Sequence, residues 1–506
     1  MRSTTRRSAR RHLLLITHHY APEHGAPQRR WGSLAPRLIG AGVDVSVLTP
    51  PPHYPSGRLF ADLPEYAPGR ISRGRHGERI VRTRFREHTS RLRSRSVDQA
   101  VAAWSTIVLG LRIFRHPDLR PDVVVGTVPG IPSMFAAWIV ARGLRAKFVV
   151  EMRDAWPDLI EPAGLFRSRR SLKARVLGAL RTLVHRTVSR LQSHADAVVT
   201  TTETFADVLR SRGVRRVAVV RNGTSFERIA DDADAGTDAP ADGHPLHHRP
   251  LRAAYAGTIG RAQDLATVVR AAARLRDRGR AVEVRIIGTG AEVESLRRLI
   301  RELDAPVSLG EPVPHDEVRD LYAWADTVLV SLRDWEPLEW TVPSKLYEVM
   351  ASGRLATACV AGEAADLVAT TGAGAVVMPG DVEGLADLWS TWVDDGAAPT
   401  ASAAAARWVR ANADDDVLGE HYVQLVDHLM NSRGHATARR STPAADATAG
   451  AAAGAAPAGT CPTCARLDTL PDPRDVLSTR SVSPRVATVS SPAQAPEGEL
   501  RPRTAR

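Results

Sequence analysis

Cysteine, lysine and aromatic residues are scarce in this chain of 506 residues. Three cysteines are too few for a disulfide framework. Cys461 and Cys464 form a CxxC with no second pair after it, so we expect neither zinc nor redox chemistry there. Cys359 falls in a predicted strand and is expected to be a small core residue.

Long apolar runs are also missing. The most apolar segment, residues 100–111, is well below the ~20 residues that cross a bilayer. The apolar run 13–16, which follows a basic N-terminus, is too short for a signal peptide. We therefore expect a cytoplasmic protein.

Positive charge, by contrast, is abundant. The net charge is +12 and the pI is about 10.3, which suits an anionic partner such as a phosphorylated substrate, an acidic lipid surface or nucleic acid. Nucleic-acid binding is the alternative of a different class. Aromatic residues at 5%, scattered arginines and the lack of a stacking or helix-turn-helix motif argue against it. Salt-sensitive DNA retention on a filter, without UDP affinity, would favour it.

Short apolar runs alternate with helical patterns twice along the chain, on either side of a linker-like segment. This pattern predicts an α/β protein with two Rossmann-like, doubly wound domains facing across a cleft. We expect these segments: a basic disordered N-terminus (1–11), a first domain (12–230), a linker (231–250), a second domain (251–412), a helix that packs back on the first domain (413–431) and a disordered tail (432–506).

The sequence TVPSKLYEVMASG, residues 341–353, predicts a short helix after a strand. Thr341 and Ser344 are expected to cap it, Pro343 suits its first turn and Gly353 suits its end. Ser344, Lys345 and Glu348 then project from one side near the helix N-terminus, where backbone N–H groups favour a phosphate. The alternative is a capped surface helix with an i,i+3 ion pair.

Glycines follow the first two strands of the second domain. Gly257 and Gly260 flank Thr258 in a strand-to-helix loop that is able to cradle phosphate oxygens, although a tight turn without a ligand is the alternative. Gly288 and Gly290 give only GxG, which is not the dinucleotide fingerprint.

Two loops of the first domain carry further candidates. Gly25 permits close backbone approach, and Arg29 and Arg30 open a helix beside it, as a site for an anionic acceptor or the donor phosphates. A solvated helix face is the alternative for these arginines. Asp154 and Glu151 lie at a strand end, where Asp154 instead fits a helix cap or an ion pair with Arg153.

Seven motifs in order give a family resemblance over residues 13–430. They are HHYAPEHGAPQRR, LTPPPHYPSG, EMRDAWPD, VVRNGTSFE, YAGTIGRAQDL, IIGTGAE and VPSKLYEVMASG. The chain resembles the retaining glycosyltransferases of family 4, which have the GT-B fold, and within them the subgroup that transfers acetamido sugars in cell-surface polysaccharide assembly. The first domain would then be the acceptor side and the second the nucleotide-sugar-binding side.

The resemblance implies substitution at the anomeric carbon of a UDP-sugar with retention of configuration. It implies Lys345, Glu348, Asp154 and Arg261 as catalytic residues. The donor site would comprise Gly257, Thr258, Gly260, Gly288, Gly290, Pro343, Ser344, Lys345 and Glu348. The acceptor or phosphate loops would comprise Gly25, Arg29, Arg30, Glu151 and Arg153. We expect no metal, no cofactor beyond the UDP-sugar donor, and no nucleic acid.

The chain departs from the wider family at the phosphate loop. Thr258 and Gln263 stand where an Arg and a Lys are usual, so we assign the positive charge to Lys345, with Arg261 or Arg333 as further candidates. A nucleotide-sugar 2-epimerase of the same fold is the alternative function. It would need a histidine facing the donor, and the loop carrying Asp154 has none.

The segment 91–115 combines an apolar stretch with basic flanks, including Arg91, Arg93 and Arg112. Such a helix fits an anionic lipid interface, where a polyprenyl-phosphate-linked acceptor would lie; a glycan acceptor is the other option. This would place the protein on the inner face of the cell membrane. A core helix with basic flanks is the alternative.

Overall fold

The computed structural model describes residues 11–23, 26–54, 56–61, 63–89, 92–128, 130–162, 172–224 and 245–438. The strands are β1 (Arg11–Ile16), β2 (Val43–Thr49), β3 (Ile71–Arg73), β4 (Arg79–Arg82), β5 (Val123–Val128), β6 (Lys147–Met152), β7 (Ala197–Thr200), β8 (Val217–Val219), β9 (Leu251–Ala256), β10 (Val282–Ile287), β11 (Val307–Gly310), β12 (Thr327–Ser331), β13 (Ala356–Cys359) and β14 (Gly374–Val377).

The helices are α1 (Ala26–Gly40), α2 (Leu92–Ile113), α3 (Ile131–Leu144), α4 (Leu172–Ser193), α5 (Glu203–Ser211), α6 (Leu265–Asp277), α7 (Val293–Leu303), α8 (His315–Trp324), α9 (Glu336–Glu339), α10 (Ser344–Ser352), α11 (Glu363–Thr371), α12 (Val382–Asp394), α13 (Ala403–Asn412) and α14 (Asp415–Ala438). None of these helices combines the length and apolarity needed to cross a bilayer.

The strands form two separate sheets, which confirms the predicted pair of Rossmann-like α/β domains. The first has the order β3-β4-β2-β1-β5-β6-β7-β8, and the second has the order β11-β10-β9-β12-β13-β14. All neighbours pair in parallel except β3 and β4. The strand order reverses at β1/β5 and at β9/β12, and in such sheets ligands bind beyond the carboxyl ends of the strands at these points.

Each sheet is buried on both faces, as parallel sheets require. Four apolar clusters result, one on each face of each sheet. The central strands are almost entirely inaccessible: Leu13, Leu14 and Leu15 of β1 are fully buried. Burying such a side chain contributes about 1.5–3 kcal/mol, so the sheets form rigid platforms for the loops at their carboxyl edges.

The last helix, α14, joins the first domain rather than the second. Leu418, Tyr422, Leu425 and Leu429 recur at helical spacing and are buried in the cluster that contains Trp31 of α1. The rings of Trp31 and Tyr422 lie 5.3 Å apart, nearly edge to face. The helix extends to Ala438, beyond the end predicted at residue 431. The rest of the predicted tail and residues 1–10 lie outside the described residues, as do residues 231–244 of the predicted linker.

Direct contacts also join the two domains. The Thr202 hydroxyl donates to the Trp340 carbonyl at 2.5 Å, and the Thr204 amide donates to Glu363 at 2.8 Å. The Trp340 ring stacks on Phe205, with 6.1 Å between ring centroids. These contacts hold the loop before α10 against the start of α5, and so position the N-terminus of α10 relative to the first domain.

Candidate functional site

Helix α10 begins without a side-chain cap. Its N-cap residue is Pro343, whose backbone is extended and which makes no side-chain hydrogen bond to the first turn. The prediction that Thr341 and Ser344 cap the helix is therefore wrong. Ser344 is already the first helical residue, and the Thr341 hydroxyl donates instead to the Leu338 carbonyl at 2.9 Å. The first-turn N–H groups thus carry the positive end of the helix dipole, and no side chain in the described part of the chain accepts from them.

Lys345 lies beside this helix start, against the loop after β9. A Cβ atom built on Gly257 would be 2.9 Å from Lys345 Nζ, and the ammonium lies 5.0 Å from the centre of the Tyr255 ring. Among the described residues no carboxylate forms an ion pair with Lys345. Burial lowers the pKa of Lys345, while the charge of Glu348 opposes this effect and that of Arg29 adds to it. A cation without a counter-ion is a place where an anion gains binding energy.

The glycines that follow β9 and β10 allow two loops to touch backbone to backbone. Gly257 and Gly288 have φ values of 147° and 153°, which side chains rarely adopt. A Cβ on Gly288 would lie 1.7 Å from the Gly257 carbonyl oxygen, and one on Gly290 would lie 2.1 Å from the Ile259 oxygen. The Gly257 amide donates to the Ile287 carbonyl at 2.8 Å. The glycines therefore serve first to bring the two loops together under Lys345.

The rest of the phosphate loop offers less charge than predicted. Thr258 and Arg261 are exposed, and Gly260 packs against the Gln263 side chain. Arg333 forms an ion pair with Asp264 at 2.5 Å, so its charge is already neutralised. Lys345, by contrast, lies directly against the loop after β9.

Glu348 of α10 is buried and forms an ion pair with Arg29 of α1. Arg29 itself is exposed, and it reaches from the first domain to the second. The structure thus brings Arg29, which was predicted on the first helix of the other domain, to the helix on which Lys345 and Glu348 were predicted together. Gly25, the other predicted member of the first loop, lies outside the described residues.

Arg30 and Glu151, which were predicted in the acceptor or phosphate loops, are bonded to each other in the interior of the first domain. Arg30 Nε donates to Glu151 Oε1 at 2.9 Å, and Arg30 Nη2 donates to the Val220 carbonyl at 3.0 Å. Trp31 Nε1 donates to the other Glu151 oxygen at 2.8 Å. Both charged side chains are almost fully buried. Because their polar atoms are engaged internally, the pair ties α1 to β6 instead of binding a ligand.

Asp154 remains accessible at the carboxyl end of β6, whereas Arg153 is half-buried beside it. Although Asp154 is exposed, the surrounding protein excludes enough water to raise its pKa, and the Arg153 charge offsets this only in part. Burial likewise lowers the pKa of Arg153, which the carboxylates of Asp154 and Glu151 oppose. Of the predicted carboxylates on this edge, Asp154 is the one that a ligand is able to reach.

Tyr255 was missed by the sequence reasoning. Its ring lies under Lys345, and its hydroxyl donates to the Thr258 carbonyl at 2.7 Å, which fixes the glycine loop. An aromatic residue in the strand that leads into a glycine loop was the available signal.

The chain also matches families of known proteins. The family described as Glycosyl transferase 4-like domain matches residues 25–223, and the family described as Glycosyl transferases group 1 matches residues 251–395. The putative colanic acid biosynthesis glycosyl transferase WcaI of Escherichia coli is 24% identical over 350 residues, which are 67% of this chain and 81% of that protein.

Solved structures share the fold. Sucrose-phosphate synthase from Thermosynechococcus elongatus superposes with a TM-score of 0.64 at 17% identity, over 84% of this chain and 100% of that one. Anabaena HepE in complex with UDP-glucose superposes with a TM-score of 0.54 at 14% identity, over 83% and 99% of the two chains.

Proposed function

Because the chain belongs to the GT-B glycosyltransferases, with a family 4-like first domain and a group 1 second domain, we propose that it transfers a sugar from a UDP donor with retention of configuration. The sugar is of the N-acetylated hexosamine type. The acceptor is polyprenyl-phosphate-linked or a glycan, and the product enters cell-envelope polysaccharide.

The observation that carries this proposal is the ammonium of Lys345 over Gly257, which has no carboxylate partner among the described residues, next to a helix start without an N-cap side chain. A departing diphosphate needs positive charge and aimed N–H donors, and this place supplies both. Support for UDP comes from HepE, which was solved in complex with UDP-glucose. Support for a cell-surface product comes from the name of WcaI.

The other site residues fit roles around that point. Glu348 accepts hydrogen bonds from the sugar hydroxyls of the donor. For this, Arg29 gives up part of its ion pair with Glu348. Asp154, exposed after β6 in the first domain, supplies the negative charge that stabilises an oxocarbenium-like sugar or positions the acceptor. Lys345 and the N-terminus of α10 neutralise the charge of the diphosphate, so neither role requires a metal. The proposed transfer is therefore metal-independent.

Calorimetry with UDP, GDP and ADP tests the donor class. We expect UDP to bind, and Lys345→Ala to weaken it about 10–100-fold, the value of one charged hydrogen bond of about 1.5–3 kcal/mol. Lys147→Ala is the matched control, because Lys147 is already paired with Asp196 at 2.9 Å. Equal UDP affinity in Lys345→Ala and the control would contradict the donor site.

Product analysis tests the reaction. With UDP-N-acetylhexosamines and a polyprenyl-phosphate acceptor, the anomeric proton coupling of the product should match that of the donor. An inverted product would contradict retention. Conversion of the donor to its 2-epimer without an acceptor would instead establish the alternative of an epimerase.

We also propose that α2 attaches the first domain to the cytoplasmic face of the membrane. Val97, Trp104 and Val108 lie on one exposed side of the helix at i, i+7 and i+11, and Trp104 is 69% exposed. Arg95 and Arg112 are exposed on the same helix, so apolar and basic groups are combined as an anionic lipid surface requires. Arg91 and the side chain of Arg93, which were also predicted to contribute, lie outside the described residues.

Sedimentation with vesicles tests this attachment. The protein should bind phosphatidylglycerol vesicles more than phosphatidylcholine vesicles, and Trp104→Ser should reduce the bound fraction. Met378→Ser is the control, since Met378 is similarly exposed, at 63%, but belongs to the second domain. Equal binding by both variants would contradict the assignment to α2.

A further inference from the structure

Three histidines meet at the carboxyl edge of the first sheet, outside the donor site. His18 and His19 follow β1, and His53 follows β2, which is the parallel neighbour of β1. Their ring centroids form a triangle with sides of 4.9, 5.0 and 5.1 Å. One ring nitrogen from each lies within 4.8 Å of those of the other two.

His53 is the most informative member of this cluster. Its side chain is only 1% exposed, and its Nδ1 lies 2.8 Å from the Pro51 carbonyl oxygen. Because a carbonyl oxygen only accepts, Nδ1 carries the proton, and Nε2 of the neutral ring holds a lone pair. Nε2 is buried, and no hydrogen-bond donor among the described residues contacts it. A buried lone pair without a donor is costly unless something binds it.

Each of the other two imidazoles has one nitrogen within ion-pair distance of a carboxylate. His18 Nε2 lies 3.2 Å from Asp98, which is fully buried, and His19 Nδ1 lies 3.2 Å from Glu23. Every ring therefore has one nitrogen beside an oxygen of the protein and one left over. In metal sites, a carboxylate or carbonyl beside one ring nitrogen commonly orients the other nitrogen towards the ion.

The anchors are themselves fixed. Glu23 Oε1 accepts from the amides of His53 and Tyr54 at 2.6 and 2.8 Å, and Gln28 donates to Glu23 Oε2 at 2.7 Å. Asp98 accepts from the Arg86 amide at 3.0 Å. The Glu23 carboxylate thus joins the loop after β1 to the loop after β2, which holds the backbone that carries the three rings.

We propose that His18, His19 and His53 bind a divalent transition metal of the zinc class, with Glu23 and Asp98 as the carboxylates that orient the rings. Three imidazoles leave one coordination position open, which is the arrangement of zinc sites that bind a further ligand. Neutral imidazole selects zinc, copper, nickel or iron over magnesium and calcium, which prefer oxygen.

The cluster lies at the carboxyl edge of the first sheet, which also carries Arg153 after β6. Arg153 lies close enough to His19 to act on it electrostatically. The residues of the cluster are not those assigned to the donor diphosphate, so the proposal does not make donor release metal-dependent. The proposal stands on the histidine geometry alone and does not depend on the donor being UDP.

The test measures metal on the full-length, tag-free protein after dialysis against a chelator. With Zn²⁺ as the probe, we expect one ion per chain by elemental analysis and a rise in the melting temperature. Co²⁺ in its place should give visible absorption bands typical of nitrogen coordination. The absence of stoichiometric zinc and of a cobalt spectrum would overturn the proposal.

Variants locate the ion. His53→Gln keeps an N–H group for Pro51 but removes the ring, and His19→Ala changes a partly exposed residue that the core tolerates; each should lose the ion while circular dichroism shows an unchanged fold. Asp98→Asn should weaken zinc about 10–100-fold, as loss of an orienting carboxylate does. Retention of full zinc affinity in both histidine variants would overturn the proposal.

Two controls exclude other binders. His185 lies 3.2 Å from Asp158, as His18 does from Asp98, but no other imidazole is grouped with it among the described residues. His185→Ala should therefore keep the ion. Cys461→Ser with Cys464→Ser should also keep it, with an unchanged cobalt spectrum. Loss of the ion in the cysteine variant, with intense thiolate-to-cobalt bands in the parent, would assign the metal to the CxxC and overturn the proposal.

Discussion

Arg29 donates a hydrogen bond to Glu348 across the two domains, from helix α1 to helix α10. Glu348 is buried, whereas Arg29 is mostly exposed. If the ion pair breaks, water is therefore able to solvate the Arg29 guanidinium. Together with the contact of Thr202 with Trp340, this ion pair links the first helix of the chain to the proposed donor site. Binding of a donor at α10 must therefore either displace Arg29 or use its charge.

A double-mutant cycle on Arg29 and Glu348 tests this link. In UDP binding measured by calorimetry, we expect Arg29→Ala and Glu348→Ala to be non-additive, with an interaction energy of about 0.5–3 kcal/mol. Arg37→Ala is the control, since Arg37 also lies on α1 but pairs with exposed Asp416 at 2.6 Å. Additive effects within about 0.3 kcal/mol would show that the two residues act on UDP independently.

The buried pair of Arg30 and Glu151 should act on stability rather than on ligands. Glu151→Ala leaves the Arg30 guanidinium buried without its anion, which typically costs about 3–5 kcal/mol. In urea, Glu151→Ala should therefore unfold at a lower midpoint concentration than Asp416→Ala. The second variant loses only the exposed pair with Arg37, which is worth about 0–1 kcal/mol. If Glu151→Ala kept full stability but lost acceptor activity, our structural assignment of Glu151 would be wrong.

The sequence predicted the two sheets well because their strands are short apolar runs bounded by helical patterns. The antiparallel edge strand β3 was not predicted, since it has only three residues and none of them is buried. Helix α11 was also not predicted; it begins after Gly362, whose φ is 64°, and its sequence has no long apolar stripe.

The candidate site was predictable where it depends on local sequence, and less so where it depends on distant pairing. Lys345 and the glycines after β9 and β10 lie where a predicted strand ends or a predicted helix begins, so local sequence was enough to find them. In contrast, Arg30 meets Glu151 across the sheet, and periodicity carries no information on such a contact. The three histidines follow β1 and β2, and the parallel pairing of these strands brings them together. The cluster is therefore predictable only when the strand order is known.

Gly288→Ala should disrupt the donor site directly. The new Cβ would meet the Gly257 carbonyl at 1.7 Å, and the φ of 153° adds strain of about 1–3 kcal/mol. We expect a lower melting temperature and loss of measurable UDP binding, because the loops under Lys345 separate. Gly32→Ala is the control: nothing lies within 4 Å of its Cβ on α1, so it should be neutral or stabilise by up to ~1 kcal/mol. Normal UDP affinity in Gly288→Ala would contradict the close loop contact.

The lowered pKa of Lys345 gives UDP binding a pH dependence of predictable sign. Burial is the main cause of the shift, so the ammonium loses its proton at a lower pH than an ordinary lysine. Above pH 7, where the UDP phosphates have finished titrating with a pKa of about 6, affinity should therefore fall as pH rises.

Lys345→Arg separates this effect from other titrations, because a guanidinium stays charged with a pKa above about 12. UDP titrations from neutral to alkaline pH should show weakening affinity in the parent and a flat profile in the variant. Stability of the ligand-free protein should change in the opposite direction. The folded pKa of Lys345 lies below the unfolded one, so the unfolded chain holds more protons between them and folding becomes more favourable as pH rises. Parallel affinity profiles in the two proteins would show that Lys345 is not the group that meets the diphosphate.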